Sequence, residues 1–255
     1  MRVVRNLTGL LGFLLIWEAI VRAGWVDQTD LPPPTVVFAR IGQLLGDVEF
    51  VRDVVASALA WLIAMAISIA IAVPAGLLLG SVRWLREATK AIVEFLRPIP
   101  SVALIPLVLI VIGGGPEAKI FLAVYASVWP ILFNTIYAMA EVDPLLVETA
   151  RSYGTPRSRI LSSVVLPHSA PFVFTGIRMA AAISLILVIS TEFLAGAKLG
   201  IGQFVLEASS VSGRMDLVLA GTVVAGLLGF IVNEGLERLG RRLFRWNEAD
   251  EGATA

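Results

Sequence analysis

At 255 residues, with 57% hydrophobic and 16% charged residues and a mean hydropathy of +0.85, the chain has the composition of a membrane protein rather than of a soluble domain. Its 20 Lys and Arg balance its 20 Asp and Glu, which argues against electrostatic capture of nucleic acid. The absence of cysteine excludes disulfides, thiolate metal sites and cysteine nucleophiles.

A helix rises about 1.5 Å per residue, so roughly 20 apolar residues cross the hydrocarbon core. No internal repeat or low-complexity linker divides the chain, and the expectation is a single all-α membrane domain over residues 1–255 with about six spans. The first run, Leu7–Val21, is short and holds Glu18. A cleaved signal peptide is a competing reading of it, because Arg2 and Arg5 precede it. Against that reading, Glu18 spoils the apolar region and no small-x-small site follows directly. The second run, Val54–Leu79, carries no charge at all.

The third run, Pro98–Gly113, follows an amphipathic turn and is crowded by Pro98, Pro100 and Pro106. An interior proline costs roughly 3 kcal/mol in a regular helix, and irregular backbone at membrane depth is tolerated where it lines a cavity or is buried in protein. Pro98, Pro100 and the adjoining Ser101 are therefore candidates for a translocation path, with a kinked packing helix as the alternative. Glu94 and Arg97, three apart, are expected to pair near the membrane boundary. Gly113-Gly114-Gly115 reads as an outside turn, since it lacks the Lys and Ser/Thr of a phosphate loop. The fourth run, Ile120–Ala140, is charge-free and contributes Asn134 as a path candidate.

Residues 141–170 form a polar insert between the fourth and fifth runs. Asp143-Pro144 predicts a helix start and Gly154 a stop; Thr155-Pro156 restarts a helix that is expected to end at Pro167. Two short helices joined by a glycine elbow would present Leu145, Leu146, Tyr153, Ile160 and Leu161 among charges, either as a docking knob or as a mere link between spans. His168 is the single histidine, which removes any histidine cluster for zinc and any histidine-based triad.

The fifth run, Pro171–Leu194, carries Arg178, placed to reach headgroups, and Glu192. A carboxylate inside a span costs about 2.5–3.5 kcal/mol and is a functional suspect. Glu192 with Ser190 and Thr191 either faces a hydrated outer cavity or makes an interhelical hydrogen bond that fixes packing. Leu199–Gly202 reads as an outside turn, and Leu217–Val232 is the sixth run.

Lys and Arg are retained in cytoplasmic loops, and their distribution sets orientation. One side collects Arg2, Arg5, Arg83, Arg86, Lys90, Arg151, Arg157, Arg159, Arg238, Arg241, Arg242 and Arg245. The other receives Arg22, Arg40, Arg52, Lys119, Lys198 and Arg214. Both termini and the polar insert are thus expected in the cytoplasm, with residues 28–50 outside.

Glu148, Ala150, Gly154, Val164, Leu166 and Pro167 fall on the E-A-A-x3-G-x9-I-x-L-P pattern of the cytoplasmic loop of bacterial ABC importer permeases, with Thr149 and Val164 as mild departures. From about Leu31 to Trp246 the chain resembles the permeases of the nitrate, sulfonate, taurine and bicarbonate importers. Stretches such as "LRPIPSVALIPLVLI", "VDPLLVETARSYG" and "TEFLAGAKLGIGQFVLEA" carry the likeness. The resemblance implies a type I importer permease fold in the bacterial cytoplasmic membrane and a homodimer. It also implies an external solute-binding protein and a separate ATPase dimer that binds ATP and Mg. It places the ATPase contact on Glu148, Thr149, Ala150, Arg151, Tyr153, Gly154, Thr155 and Pro156.

No P-loop string occurs, which agrees with nucleotide binding on another subunit. By the same likeness the substrate is a small anion, a sulfonate or taurine first, with nitrate, bicarbonate, aromatic acids and nitrogen heterocycles behind. No cofactor and no catalysis are expected on this chain. The alternative is a secondary transporter that couples protons through Glu192.

Overall fold

The long apolar runs are helical apart from the break at the start of the third, as expected where no water satisfies backbone groups. The computed structural model describes residues 2–96, 98–195 and 197–245, with side chains from Thr8 onward, and among these residues there is no strand. The side chains of Arg2 and Arg5, and the whole of Arg97 with its expected pairing to Glu94, lie outside the described residues, as does Trp246.

The helices are α1 (Arg2–Arg22), α2 (Pro34–Leu44), α3 (Val48–Ser81), α4 (Arg83–Leu96), α5 (Ile105–Ile112) and α6 (Pro116–Ala140). They continue with α7 (Pro144–Ser152), α8 (Arg157–Ile160), α9 (Leu166–Ala195), α10 (Ile201–Ser209) and α11 (Met215–Leu243). Among the described residues, four helical stretches are long and apolar enough to cross a membrane: α3, α6, Arg157–Ala195 and α11. A fifth arises if α4 and the segment Ser101–Ile112, set at 75° to each other, count as one broken span. The first expected span lies in α1, which runs over 21 residues.

Two expectations about proline are corrected. Pro167 does not stop the helix that begins at Arg157: a π-helical turn over Leu161–Val165 carries it straight into α9. A proline ring clashes with the carbonyl four residues back and lacks an N–H, and a widened π turn just before it relieves both problems. Nor are the prolines of the third run interior to a helix. Pro98 and Pro100 lie in the break, with Pro100 capping the 3-10 turn Ser101–Leu104, and Pro106 occupies the first turn of α5, where no donor is needed.

The chain divides into two compact units, residues 1–58 with 189–228, and residues 59–188 with 229–255. In the first, α2 turns Val37, Ile41 and Leu44 onto Phe50, Ala220 and Val224, and Phe50 meets Phe204 edge to face at 4.7 Å. Arg40 donates to Asp216 at 2.5 Å in the same unit.

In the second unit, Met65 and Ala72 of α3 pack with Ile131 and Leu132 of α6 and Ala180 and Ala181 of α9. Glycine allows the closest approaches: a Cβ on Gly176 would stand 2.7 Å from the Cβ of Asn134, and one on Gly76 2.7 Å from Cγ2 of Thr135. Small residues at helix contacts are the usual solution in lipid, where apolar burial gives little drive between helices. The indole of Trp61 donates to the Ala181 carbonyl at 2.9 Å, and Arg178 reaches Glu237 at 3.3 Å.

Candidate functional site

The polar insert folds around its caps. Asp143 accepts from the Leu145 amide at 2.8 Å and α7 starts at Pro144, as the sequence predicts. At the other end Gly154 adopts φ +74°; its N–H bonds the Arg151 carbonyl at 2.9 Å while the Thr155 N–H bonds that of Ala150 at 3.2 Å. This is the six-to-one and five-to-two pairing of a Schellman turn, which satisfies helix-end carbonyls that would otherwise need water.

Pro156, extended at φ −66° and ψ 150°, caps α8 in place of the expected Thr155. Glu148, Thr149, Arg151, Gly154 and Pro156 are exposed, and Ala150 and Thr155 are half-buried. Tyr153 is 85% exposed and Leu145 66%, so the elbow displays apolar side chains at its surface. Ile160 points the other way and is buried.

The second candidate, Glu192, is fully buried. Its carboxylate accepts from Ser57 Oγ at 2.8 and 2.9 Å and from the Gly202 amide at 3.1 Å. Ser57 Oγ in turn accepts from the Ile201 amide at 3.0 Å, and Asp53 accepts from the Gly200 amide at 2.8 Å. Three successive amides at the start of α10 are thereby capped by side chains from α3 and α9. A helix N-terminus leaves such donors orphaned and favours negative charge beside it. Glu192 and its neighbour Thr191 are buried, and Ser190 is half-buried. Leu199–Gly202, expected as a turn, is the cap and first residues of α10.

Of the remaining path candidates, Pro98 and Pro100 are exposed and Ser101 is half-buried. Asn134, also half-buried, donates to the Pro130 carbonyl at 2.8 Å. Sequence reasoning missed Ser57 and Asp53. Their spacing of four puts both on one face of α3, yet nothing local tells that α10 starts against them.

Comparison with known proteins gives a consistent picture. The family model described as "Binding-protein-dependent transport system inner membrane component" matches residues 72–245. A putative ABC transporter permease of Methanocaldococcus jannaschii is 36% identical over 70% of this chain and 67% of its own length. The bicarbonate transport system permease of Synechococcus elongatus is 31% identical over 94% of this chain and 88% of its own. The taurine transport system permease of Escherichia coli is 27% identical over the same shares, 94% and 88%. Among solved structures, the MetNI methionine ABC transporter in an inward-facing conformation superposes with a TM-score of 0.63 at 22% identity, over 75% of this chain and 94% of that one, a likeness of fold.

Proposed function

Since this chain belongs to the binding-protein-dependent transport system inner membrane component family, as an ABC importer permease of the nitrate, sulfonate, taurine and bicarbonate group, we propose that it forms the path for a small sulfonate-type anion and couples that path to a cytoplasmic ATPase through the elbow at Gly154. The family is a transport component and not an enzyme. Hydrolysis of Mg-ATP falls to the partner ATPase dimer, delivery of solute to an external binding protein, and two copies of this chain make one path.

The observation that carries the coupling role is the exposed Schellman elbow, whose uncovered Leu145 and Tyr153 are the apolar anchors a docking groove requires. Glu148, Thr149, Arg151 and Pro156 surround those anchors. The lining role belongs to the candidates that keep open surface, Pro98, Pro100, Ser101, Asn134 and Ser190, while Thr191 and Glu192 support from within.

Reconstitution with the ATPase and binding protein should give taurine or alkanesulfonate uptake that requires ATP. Uptake driven by a proton gradient without ATP would overturn the assignment. Orientation follows from the Lys and Arg distribution. A single cysteine at Trp25, 80% exposed, should react with impermeant reagents on intact cells, and one at Tyr153 only after permeabilisation. The reverse pattern would invert the topology.

A further inference from the structure

In the first unit a cavity of about 240 Å³ opens between the chain that leads into α2 and the chain that leads into α11. Thr29, Pro33, Val36 and Gly213 wall it, and Arg40, Arg214 and Asp216 supply its charges. Two guanidinium groups share one carboxylate there. Asp216 is buried; Arg40 Nε reaches one of its oxygens at 2.5 Å, and Arg214 Nε reaches the other at 3.4 Å.

Arg40 Nη1 donates to the Gln43 side chain at 2.6 Å. Among the described residues, Arg40 Nη2 and both terminal nitrogens of Arg214 make no hydrogen bond. Asp27, close by in sequence, does not line the cavity and accepts instead from the amide and the hydroxyl of Thr29, both at 2.8 Å. The cluster thus carries one positive charge more than its acid balances, and the end-on fork of Arg214 is open to an oxyanion. Around it, Val36, Val211 and Met215 are exposed. An arginine fork recessed among apolar side chains has the make-up of an interface anchor site.

We propose that this cavity receives a carboxylate side chain of the external solute-binding protein, gripped by the fork of Arg214 and steadied by Arg40 Nη2. Asp216 is the positioning residue, since it orients both guanidinium groups. At about 30 Å³ per water the cavity takes the volume of about eight waters, room for one acidic side chain and too little for a helix. The proposal rests on the importer reading and on the Lys and Arg distribution that puts residues 28–50 and Arg214 outside; it adds where the receptor seats.

The permease with its ATPase is placed in phosphatidylglycerol nanodiscs and titrated, without ATP, with the solute-loaded binding protein at low and high salt. Wild-type affinity should fall as salt rises. Arg214→Gln should weaken binding about tenfold and flatten the salt dependence, and Arg214→Lys should weaken it about threefold, because lysine cannot present a fork. Gln28→Glu adds a carboxylate beside the cavity and should also cost about tenfold; it decides the matter if Arg214→Gln does not fold. Among binding-protein variants with single acidic residues reversed to lysine, one should bind wild type poorly and regain affinity against Arg214→Glu, which lost packing would not produce. Wild-type affinity in Arg214→Gln and Gln28→Glu would overturn the docking site while the importer reading stands. Unchanged receptor affinity with loss of bound taurine or phosphatidylglycerol would overturn it in favour of a free anion or a headgroup. No receptor binding by wild type, with uptake that needs no ATP, would overturn the importer reading as well.

Discussion

Gly154 and Gly200 both stand at helix ends with positive φ, +74° and +145°, yet their surroundings have little in common. A Cβ on Gly154 would meet nothing within 4 Å, whereas one on Gly200 would run into the carboxylate of Glu192. The turn at Gly154 is therefore set by backbone conformation and hydrogen bonding, with no neighbour packed against it. The junction at Gly200 is held by backbone, packing and buried hydrogen bonds together, and serves the integrity of its own unit. The same residue type marks an exposed turn in one place and a packed junction in the other.

The sharpest way to break this contrast is Gly200→Ala. Backbone at φ +145° and ψ 158° is accessible essentially to glycine alone, and the new methyl group overlaps Glu192. Strain and overpacking together should destabilise by roughly 2–5 kcal/mol, with little folded protein recovered from the membrane and a large drop in the melting temperature of what remains. A wild-type melting temperature would refute the close packing at this joint.

Next in size is Glu192→Ala, which leaves Ser57 Oγ and the Gly202 amide without their acceptor. Each orphaned buried group costs about 1–3 kcal/mol. Glu192→Gln keeps an acceptor and should lose less stability, with uptake per folded complex close to wild type. If Glu192→Gln folded normally and abolished uptake, Glu192 would belong to the path and not to the joint.

Gly154→Val should behave oppositely to Gly200→Ala. The positive φ costs roughly 1–2 kcal/mol for a residue with a Cβ, and no neighbour obstructs the side chain. Insertion and melting should change little, while ATPase retention on purification, or its stimulation by loaded binding protein, falls severalfold. Wild-type values for both would return the insert to a plain link between spans. The smallest effect belongs to Glu148→Ala, an exposed position on α7, with stability within about 0.5 kcal/mol of wild type and a modest loss of ATPase stimulation. A loss larger than that of Gly154→Val would shift the coupling role from turn geometry to charge.

Much of the elbow was legible in the sequence because its determinants are local. Asp143 caps the amide two residues on, and Gly154 closes a turn whose bonds reach back no further than Ala150. Pro167 misled for a related reason. Its cost in a regular helix is a local quantity, but the π turn at Leu161–Val165 changes the hydrogen-bonding register ahead of it and removes that cost. In the third run, too, the local cost of proline does not arise, because Pro98 and Pro100 fall between two shorter helices.

What the sequence by itself determined is the class of the molecule: membrane helices, their approximate extents, the elbow and the family. Charge-free runs of sufficient length must satisfy their backbone internally, and short-range caps say where a helix starts or stops. Only the tertiary structure decided which groups Glu192 meets, because its partner Ser57 lies 135 residues away and the amide of Gly202 is offered by a helix whose start is not marked in the sequence. It likewise decided that α4 half-buries Leu85, Thr89, Val93 and Leu96 and leaves Trp84 and Phe95 exposed. Amphipathic spacing shows that a helix has two faces; which of them meets the chain depends on helices distant in sequence.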